Sequence, residues 1–119
     1  MNALIDSFRS IVGPSGLITG EDVANRSDRW PPAGGCKARC IVRPASTGEV
    51  SAVLKACSEA GQPVVTHGGL TGLVDGAVTA PGDVALSLER MNRMDPVDTV
   101  NRTVTVGAGV ALQSVQEAA

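Results

Sequence analysis

The residues with the clearest chemical potential lie in the stretch 67–82, which holds five of the 14 glycines in the 119-residue chain. Its first six residues, 67–72, read HGGLTG and follow an apolar run at 63–66 that predicts a strand. Glycine lacks a Cβ atom, so a ligand can approach the backbone, and successive N–H groups can converge on an anion. This pattern is typical of a diphosphate cradle, with the Thr71 hydroxyl as a further donor. A tight structural loop is the alternative, and glycine content alone does not separate the two.

Other motifs for nucleotide binding, catalysis or metal binding are incomplete. A Walker A loop needs a Gly-Lys-Ser/Thr ending, and no lysine lies near residues 67–72. Segment 107–112 has the order of a dinucleotide fingerprint, but Leu112 replaces its third glycine. The only histidine has no G-x-S-x-G partner, which excludes a serine triad. Cys36 and Cys40 supply at most half of a zinc site, so we expect ordinary thiols and no metal.

Composition restricts the expected partners and compartment. A net charge of −2 and only two lysines argue against a nucleic-acid-binding surface. No apolar run reaches the roughly 20 residues of a membrane span. An odd number of cysteines without a signal peptide predicts a reduced, cytoplasmic protein. Because only 2% of the residues are aromatic, the core must be aliphatic, which suits strands covered by helices.

The hydrophobic pattern predicts the elements that position the glycine loop. Residues 3–12 have the spacing of a helix, and residues 17–23 that of a short helical turn. Residues 25–36 are polar and rich in proline and glycine, which predicts a loop. Residues 39–67 have the order strand, helix, strand, and a helical crossover predicts that the two strands are parallel.

Capping and turn residues refine this pattern. The crossover helix should begin with a capping box, Ser46-x-x-Glu49, and end at Gly61. Downstream, the sequence predicts a strand at 83–88, a hairpin of strands 97–100 and 103–106 that turns at Asn101-Arg102, and an amphipathic helix from 111. Because the chain ends within that apolar helical pattern, we expect it to be an N-terminal fragment of a longer protein.

Three segments together resemble a flavoprotein family. They read VRPASTGEVSAVLKACSEAGQPVVTHGGLTGLVDGA (42–77), LSLERMN (86–92) and VTVGAGVALQSVQEAA (104–119). This ordered set resembles flavoproteins of the vanillyl-alcohol oxidase/p-cresol methylhydroxylase (PCMH) type. It is most similar to the FAD-linked oxidases that include D-2-hydroxyglutarate dehydrogenase, D-lactate dehydrogenase and the glycolate oxidase FAD subunit. The resemblance covers about residues 40 to 119.

The resemblance implies an α+β fold in which FAD lies between two subdomains of a PCMH-type FAD-binding domain. Residues 39–119 would form the first part of this domain, with a strand-helix-strand unit, the glycine loop and further strands. The domain would be truncated at the end of the chain. Residues 1–38 would be an N-terminal helical segment and loop.

The resemblance also implies which residues contact the cofactor. The loop 67–72 would bind the FAD pyrophosphate through its N–H groups, and the LERMN segment would line the cofactor. Covalent members carry a flavin-linking histidine where this chain has Leu70, so non-covalent FAD is expected. No catalytic residue is expected within the chain. The expected cofactor-binding set is Thr66, His67, Gly68, Gly69, Leu70, Thr71, Gly72, Leu73, Ser87, Ala108 and Gly109.

The implied parent activity is that of an FAD-dependent dehydrogenase that oxidises a D-2-hydroxy acid such as D-2-hydroxyglutarate, D-lactate or glycolate. Electrons would pass from this small-molecule substrate through the flavin to a separate electron acceptor, and the fragment itself would be inactive. A face exposed where the second subdomain should sit would favour a homo-oligomer. Two alternatives stay open: a non-catalytic nucleotide-binding or regulatory module of the same fold, and an FAD oxidase of sugars or alcohols.

Overall fold

The fold is organised around a four-stranded mixed sheet in this computed structural model, which describes residues 2–119. The spatial order of the strands is β1-β2-β4-β3. The β1 strand is antiparallel to β2, whereas β4 is parallel to both β2 and β3. The strands are β1 (Leu17–Ile18), β2 (Ile41–Val42), β3 (Val64–His67) and β4 (Val84–Ser87).

Within the described residues, four α-helices accompany the sheet: α1 (Asn2–Val12), α2 (Glu21–Ala24), α3 (Thr47–Ala60) and α4 (Leu112–Ala118). The predicted helices at 3–12, after Ser46 and after 111 are confirmed. The helical turn predicted over 17–23 is wrong, because Leu17 and Ile18 pair with the edge of β2 and only 21–24 are helical. Pairing with a distant strand overrides the local helical spacing there.

The capping box of α3 is confirmed with one change. The Ser46 hydroxyl accepts a hydrogen bond from the Glu49 N–H at 3.2 Å. The Glu49 carboxylate accepts from the N–H of Ala45, one residue before the N-cap, also at 3.2 Å. Gly61 ends the helix in the left-handed conformation, with φ of 64°. The local sequence therefore determines both ends of this helix.

The two strands of the crossover are parallel, as predicted, but they are not neighbours. The β4 strand lies between them, and its residue Ala85 is aligned with Ile41 on one side and Val65 on the other. All four residues of β4 are buried. A strand that is apolar on both faces gains most from the central position, where both faces are covered.

Side chains of the central strand alternate between two separate cores. Val84 and Leu86 lie in a cluster with residues of α1 and α3, including Phe8 and Val53. Ala85 lies in the second cluster, with residues from the segment 23–41. The predicted loop at 25–36 thus belongs to a segment that covers one face of the sheet.

The segment after β4 has a different character, since no residue from 88 to 119 is buried. The predicted hairpin strands 97–100 and 103–106 are wrong as continuous strands. Antiparallel pairing persists only as two isolated bridges, Met94 with Val106 and Asp98 with Thr103, around a turn that spans 99–102. A two-stranded ribbon needs an apolar face packed on something, and Val100 is 89% exposed.

Candidate functional site

The glycine loop leaves β3 at His67, and its glycines are not required by the backbone. Gly68, Gly69 and Gly72 all lie outside the positive-φ region, and a Cβ atom built on any of them would meet no atom within 4 Å. The left-handed residue of the loop is Leu70, with φ of 60°. The backbone conformation of these glycines is therefore one that other residues also adopt. Their missing side chains leave open space beside the backbone instead.

The loop presents hydrogen-bond donors without using them internally. Within residues 2–119, the amides of residues 68–72 donate to no acceptor of the protein. No lysine or arginine occurs between 67 and 82, and the first acidic residue after the loop is Asp75. Any anion bound here would thus meet neutral backbone donors and the Thr71 hydroxyl. Such donors form the anion-binding concavities called nests.

A cleft lies between this loop and the start of α4. It has a volume of about 370 Å³ and is lined by Gly69 and Thr71 on one side and by residues 110–113 on the other. The structure therefore brings together two segments that are far apart in sequence. Sequence reasoning missed residues 110–113, because nothing in their composition distinguishes them from any other start of a helix.

The remaining predicted residues fall into two groups. Ser87 is aligned with His67 at the ends of β4 and β3, and both are buried, whereas Thr66 and Leu73 are exposed. Ala108 and Gly109 lie beside the LERMN segment rather than in the cleft. The N–H of Gly109 donates to the carbonyl of Met91 at 2.9 Å. A Cβ atom on Gly109 would overlap the backbone of Leu88, so glycine is required there for close packing.

An ion-pair cluster surrounds Glu89 next to this contact. Arg26 donates to the Glu89 carboxylate at 2.6 Å, Arg43 lies 3.5 Å from it, and the Ser87 hydroxyl donates at 2.9 Å. The hydrogen bond from Arg26, together with Ser87 and the charge of Arg43, outweighs burial and lowers the pKa of Glu89 to about 2. Arg90 is also engaged, since it donates to the Arg43 carbonyl at 3.0 Å. These cations stabilise the fold, and within residues 2–119 none of them makes a hydrogen bond or ion pair with the glycine loop.

The cysteines are buried thiols on both sides of the sheet. Cys36 lies in the core that contains Ala85, whereas Cys40 and Cys57 lie in the core that contains Val84. Burial raises the pKa of Cys40 to about 11. The part of the chain that the structure describes contains no group of three or more His, Cys, Asp or Glu side chains suited to a metal ion. None of its helices has both the length and the hydropathy needed to cross a bilayer.

Comparison with known proteins identifies the family of this domain. A family profile described as an FAD binding domain matches residues 38–119, which is most of the chain. The chain belongs to this FAD-binding domain family. The matched region contains the glycine loop, the Glu89 turn and both sides of the cleft, so the residues of the candidate site lie within it. FAD is accordingly the cofactor of this domain.

Two relatives and one solved structure illustrate the similarity. D-2-hydroxyglutarate dehydrogenase of Xanthomonas citri pv. viticola is 43% identical over 91 residues, which cover 76% of this chain and 18% of that protein. D-lactate dehydrogenase of Archaeoglobus fulgidus is 40% identical over 99 residues, covering 81% and 22%. The p-cresol methylhydroxylase structure superposes with a TM-score of 0.78 at 23% identity, covering 98% of this chain and 24% of that chain. At that identity the last match shows the fold alone.

These matches confirm the flavoprotein resemblance and the α+β fold of the PCMH type. The chain spans less than a quarter of the length of each of these three proteins.

Proposed function

We propose that this chain supplies the pyrophosphate-binding part of the FAD site in a dehydrogenase that oxidises a D-2-hydroxy acid. The observation that carries the proposal is the open glycine loop. Gly68, Gly69 and Gly72 have ordinary φ, their absent Cβ atoms face open space, and their amides have no acceptor among the described residues. Nothing in the fold explains glycine at these positions, whereas a diphosphate that approaches the backbone closely does.

Each part of the site has a role in this proposal. The amides of 68–72 and the Thr71 hydroxyl bind the diphosphate, and the left-handed Leu70 is part of the backbone pattern of an anion nest. His67, at the end of β3, supports the loop, whereas Thr66, Leu73 and Ser87 line the cofactor. Ala108 and Gly109, whose segment packs on the LERMN segment, complete this lining. When bound, FAD supplies the hydride-accepting chemistry. The chain's own residues hold and orient it.

The cofactor is proposed to be non-covalent. Leu70 has no nucleophilic atom, and the Cys40 and Cys57 thiols are buried with raised pKa values. Denaturation of the protein followed by ultrafiltration tests this directly. We expect the yellow flavin to pass into the filtrate. A flavin retained with the denatured polypeptide contradicts the non-covalent proposal while leaving the FAD site intact.

The substrate class is supported by the two relatives described above, whose names specify D-2-hydroxyglutarate and D-lactate dehydrogenases. We propose a cytoplasmic enzyme that passes its electrons to a separate acceptor, with the catalytic residues outside these 119 residues. The protein expressed from its complete reading frame should reduce an artificial electron acceptor with D-2-hydroxyglutarate, D-lactate or glycolate. Turnover with sugars or aromatic alcohols but not with these acids would contradict the substrate class.

The decisive variant for the FAD site is Gly69→Val. The Cβ atom of the valine would meet no atom of the fold within 4 Å, and its side chain would fill the space proposed for the diphosphate, so the protein should fold normally and lose its flavin absorbance. Gly48→Val is the matched control, because a Cβ atom at Gly48 would make only an ordinary van der Waals contact, 3.9 Å from the Ser46 hydroxyl oxygen, and because Gly48 lies far along the chain in the first turn of α3. It should retain flavin. Normal FAD content in Gly69→Val, or a wild-type protein that takes up no FAD on reconstitution, overturns the proposal.

A further inference from the structure

We infer that His67, Thr79 and Asp28 are positioning residues. They hold the two ends of the longer loop 68–78, which begins with the glycine loop, in place for the cofactor. This inference rests on the proposed function of the loop. One of its anchors comes from Asp28, which lies in the N-terminal segment outside the matched region 38–119. The sequence-based division of the chain at residue 38 therefore separates two parts that act together.

The loop depends on contacts with the rest of the fold, because it has few hydrogen bonds and little buried surface of its own. Residues 68–76 are exposed or half-buried, and Leu70 and Asp75 both have positive φ. Among the described residues, the only backbone hydrogen bond within the segment 68–78 is a long one, from the Val78 N–H to the Asp75 carbonyl at 3.3 Å. A segment of this length without internal support samples many conformations, and ordering it on ligand binding opposes affinity.

The first anchor closes the neck of the loop. The His67 ring is only 3% exposed, and its Nε2 lies 2.8 Å from the carbonyl oxygen of Ala77. A carbonyl oxygen can only accept, so Nε2 carries the proton and donates it. This bond ties the last residue of β3 to the far end of the loop, ten residues later. The ring therefore holds the loop and is not directed at the ligand.

The second anchor is a buried hub around Thr79. Its N–H donates to the Asp28 carboxylate at 2.7 Å, and its hydroxyl donates to the same oxygen. The Lys37 N–H donates to the Thr79 hydroxyl oxygen at 2.8 Å. Thr79 and Asp28 are 4% and 2% exposed. Burial would raise the pKa of Asp28, but the hydrogen bonds from Thr79 lower it below its usual value, so the carboxylate is charged at neutral pH.

Together, the two anchors fix both ends of the loop to the rest of the fold. Thr79 follows Ala77 by two residues, and Asp28 precedes Thr79 by 51 positions in the chain. A binding loop held by buried groups of the scaffold is ordered before its ligand arrives, which improves affinity without any new ligand contact. We therefore expect Asp28, Thr79 and His67 to affect FAD affinity although none of them needs to touch the diphosphate.

The test compares two variants of Thr79 with one variant of His67, in protein expressed from the complete reading frame. Thr79→Val keeps the shape but loses the hydroxyl, whereas Thr79→Ser keeps it. His67→Leu removes the donor to Ala77. We expect Thr79→Val and His67→Leu to weaken FAD binding about tenfold, the usual effect of losing one such bond, and Thr79→Ser to bind normally. Amide hydrogen exchange of residues 68–78 in the FAD-free protein should rise by a similar factor in the two weakened variants.

A general loss of stability is separated from positioning by Val53→Ala. Val53 is fully buried in the core on the other face of the sheet, so its truncation destabilises the fold without touching either anchor. It should leave FAD affinity and loop exchange unchanged. If Thr79→Val and His67→Leu bind FAD like the wild type, or if Val53→Ala weakens binding equally, positioning is excluded. A wild type that binds no FAD contradicts the proposed function instead, and the exchange measurement still tests the anchors.

Discussion

Two segments of this chain, 68–72 and 107–109, are both rich in glycine, but the physical reasons for glycine are opposite in the two. In the second, a Cβ atom on Gly107 would overlap the carbonyl of Met91, and one on Gly109 would overlap the carbonyl of Leu88. In the first, a Cβ atom would meet nothing within 4 Å. Glycine at 107–109 is thus required by backbone packing, whereas no contact among residues 2–119 requires glycine at 68–72.

This difference distinguishes glycines that the fold requires from glycines that are proposed to bind a ligand. A glycine required by the fold should be intolerant of substitution whether or not cofactor is present. A glycine kept for a ligand should tolerate substitution in the free protein and fail only in binding. Variants at the two kinds of glycine should therefore differ in their effect on stability.

The largest effect is expected for Gly109→Ala. Its methyl group would overlap the Leu88 backbone, and relieving that overlap moves the segment 107–109 away from the turn 88–91. We expect the free energy of unfolding, measured by urea denaturation of the chain, to fall by about 3 kcal/mol. Gly68→Ala is the matched control and should stay within about 0.5 kcal/mol of the wild type. Equal effects at the two sites would remove the distinction between the segments.

A smaller loss of stability is expected at acidic pH, because the turn on which Gly109 packs contains the ion-paired Glu89. The pKa of Glu89 is lowered from 4.5 to about 2 in the folded protein. A carboxylate with a lowered folded pKa stabilises the fold above its unfolded pKa, and this contribution is lost as the pH falls from 4.5 towards 2. Urea denaturation across this range should show a shallower pH dependence in Glu89→Gln than in the wild type. Asp28 contributes in the same direction in both proteins, so an unchanged slope would show that Glu89 is not paired with Arg26.

The smallest effect, with the opposite sign, is expected for Gly72→Ala. Gly72 has open space and an ordinary φ, so alanine restricts the unfolded chain without straining the folded one. We expect a gain in stability of about 0.5 kcal/mol. Gly61→Ala, at a φ of 64°, should instead lose about 1 kcal/mol because only glycine adopts that conformation freely. Thermal unfolding followed by circular dichroism distinguishes the two, and a destabilised Gly72→Ala would indicate a structural role for the loop glycine.

Much of the fold could be predicted because its determinants are local. The limits of α3 follow from Ser46, Glu49 and Gly61, and the parallel direction of β2 and β3 follows from the helix between them. The failures occur where a distant partner decides the outcome. Leu17 and Ile18 form a strand only because the edge of β2 is available, and residues 97–106 lack an apolar partner that would extend their two bridges into a hairpin.

For the candidate site the division is similar. Sequence alone determined the glycine loop, its position after a strand, and the flavoprotein resemblance, since these depend on residue types at short spacing. Only the tertiary structure decided which glycines the backbone requires, that residues 110–113 share a cleft with Gly69, and that Asp28 holds Thr79. These contacts join residues tens of positions apart. No local spacing encodes them, because they arise when the sheet brings its strand ends and covering segments together.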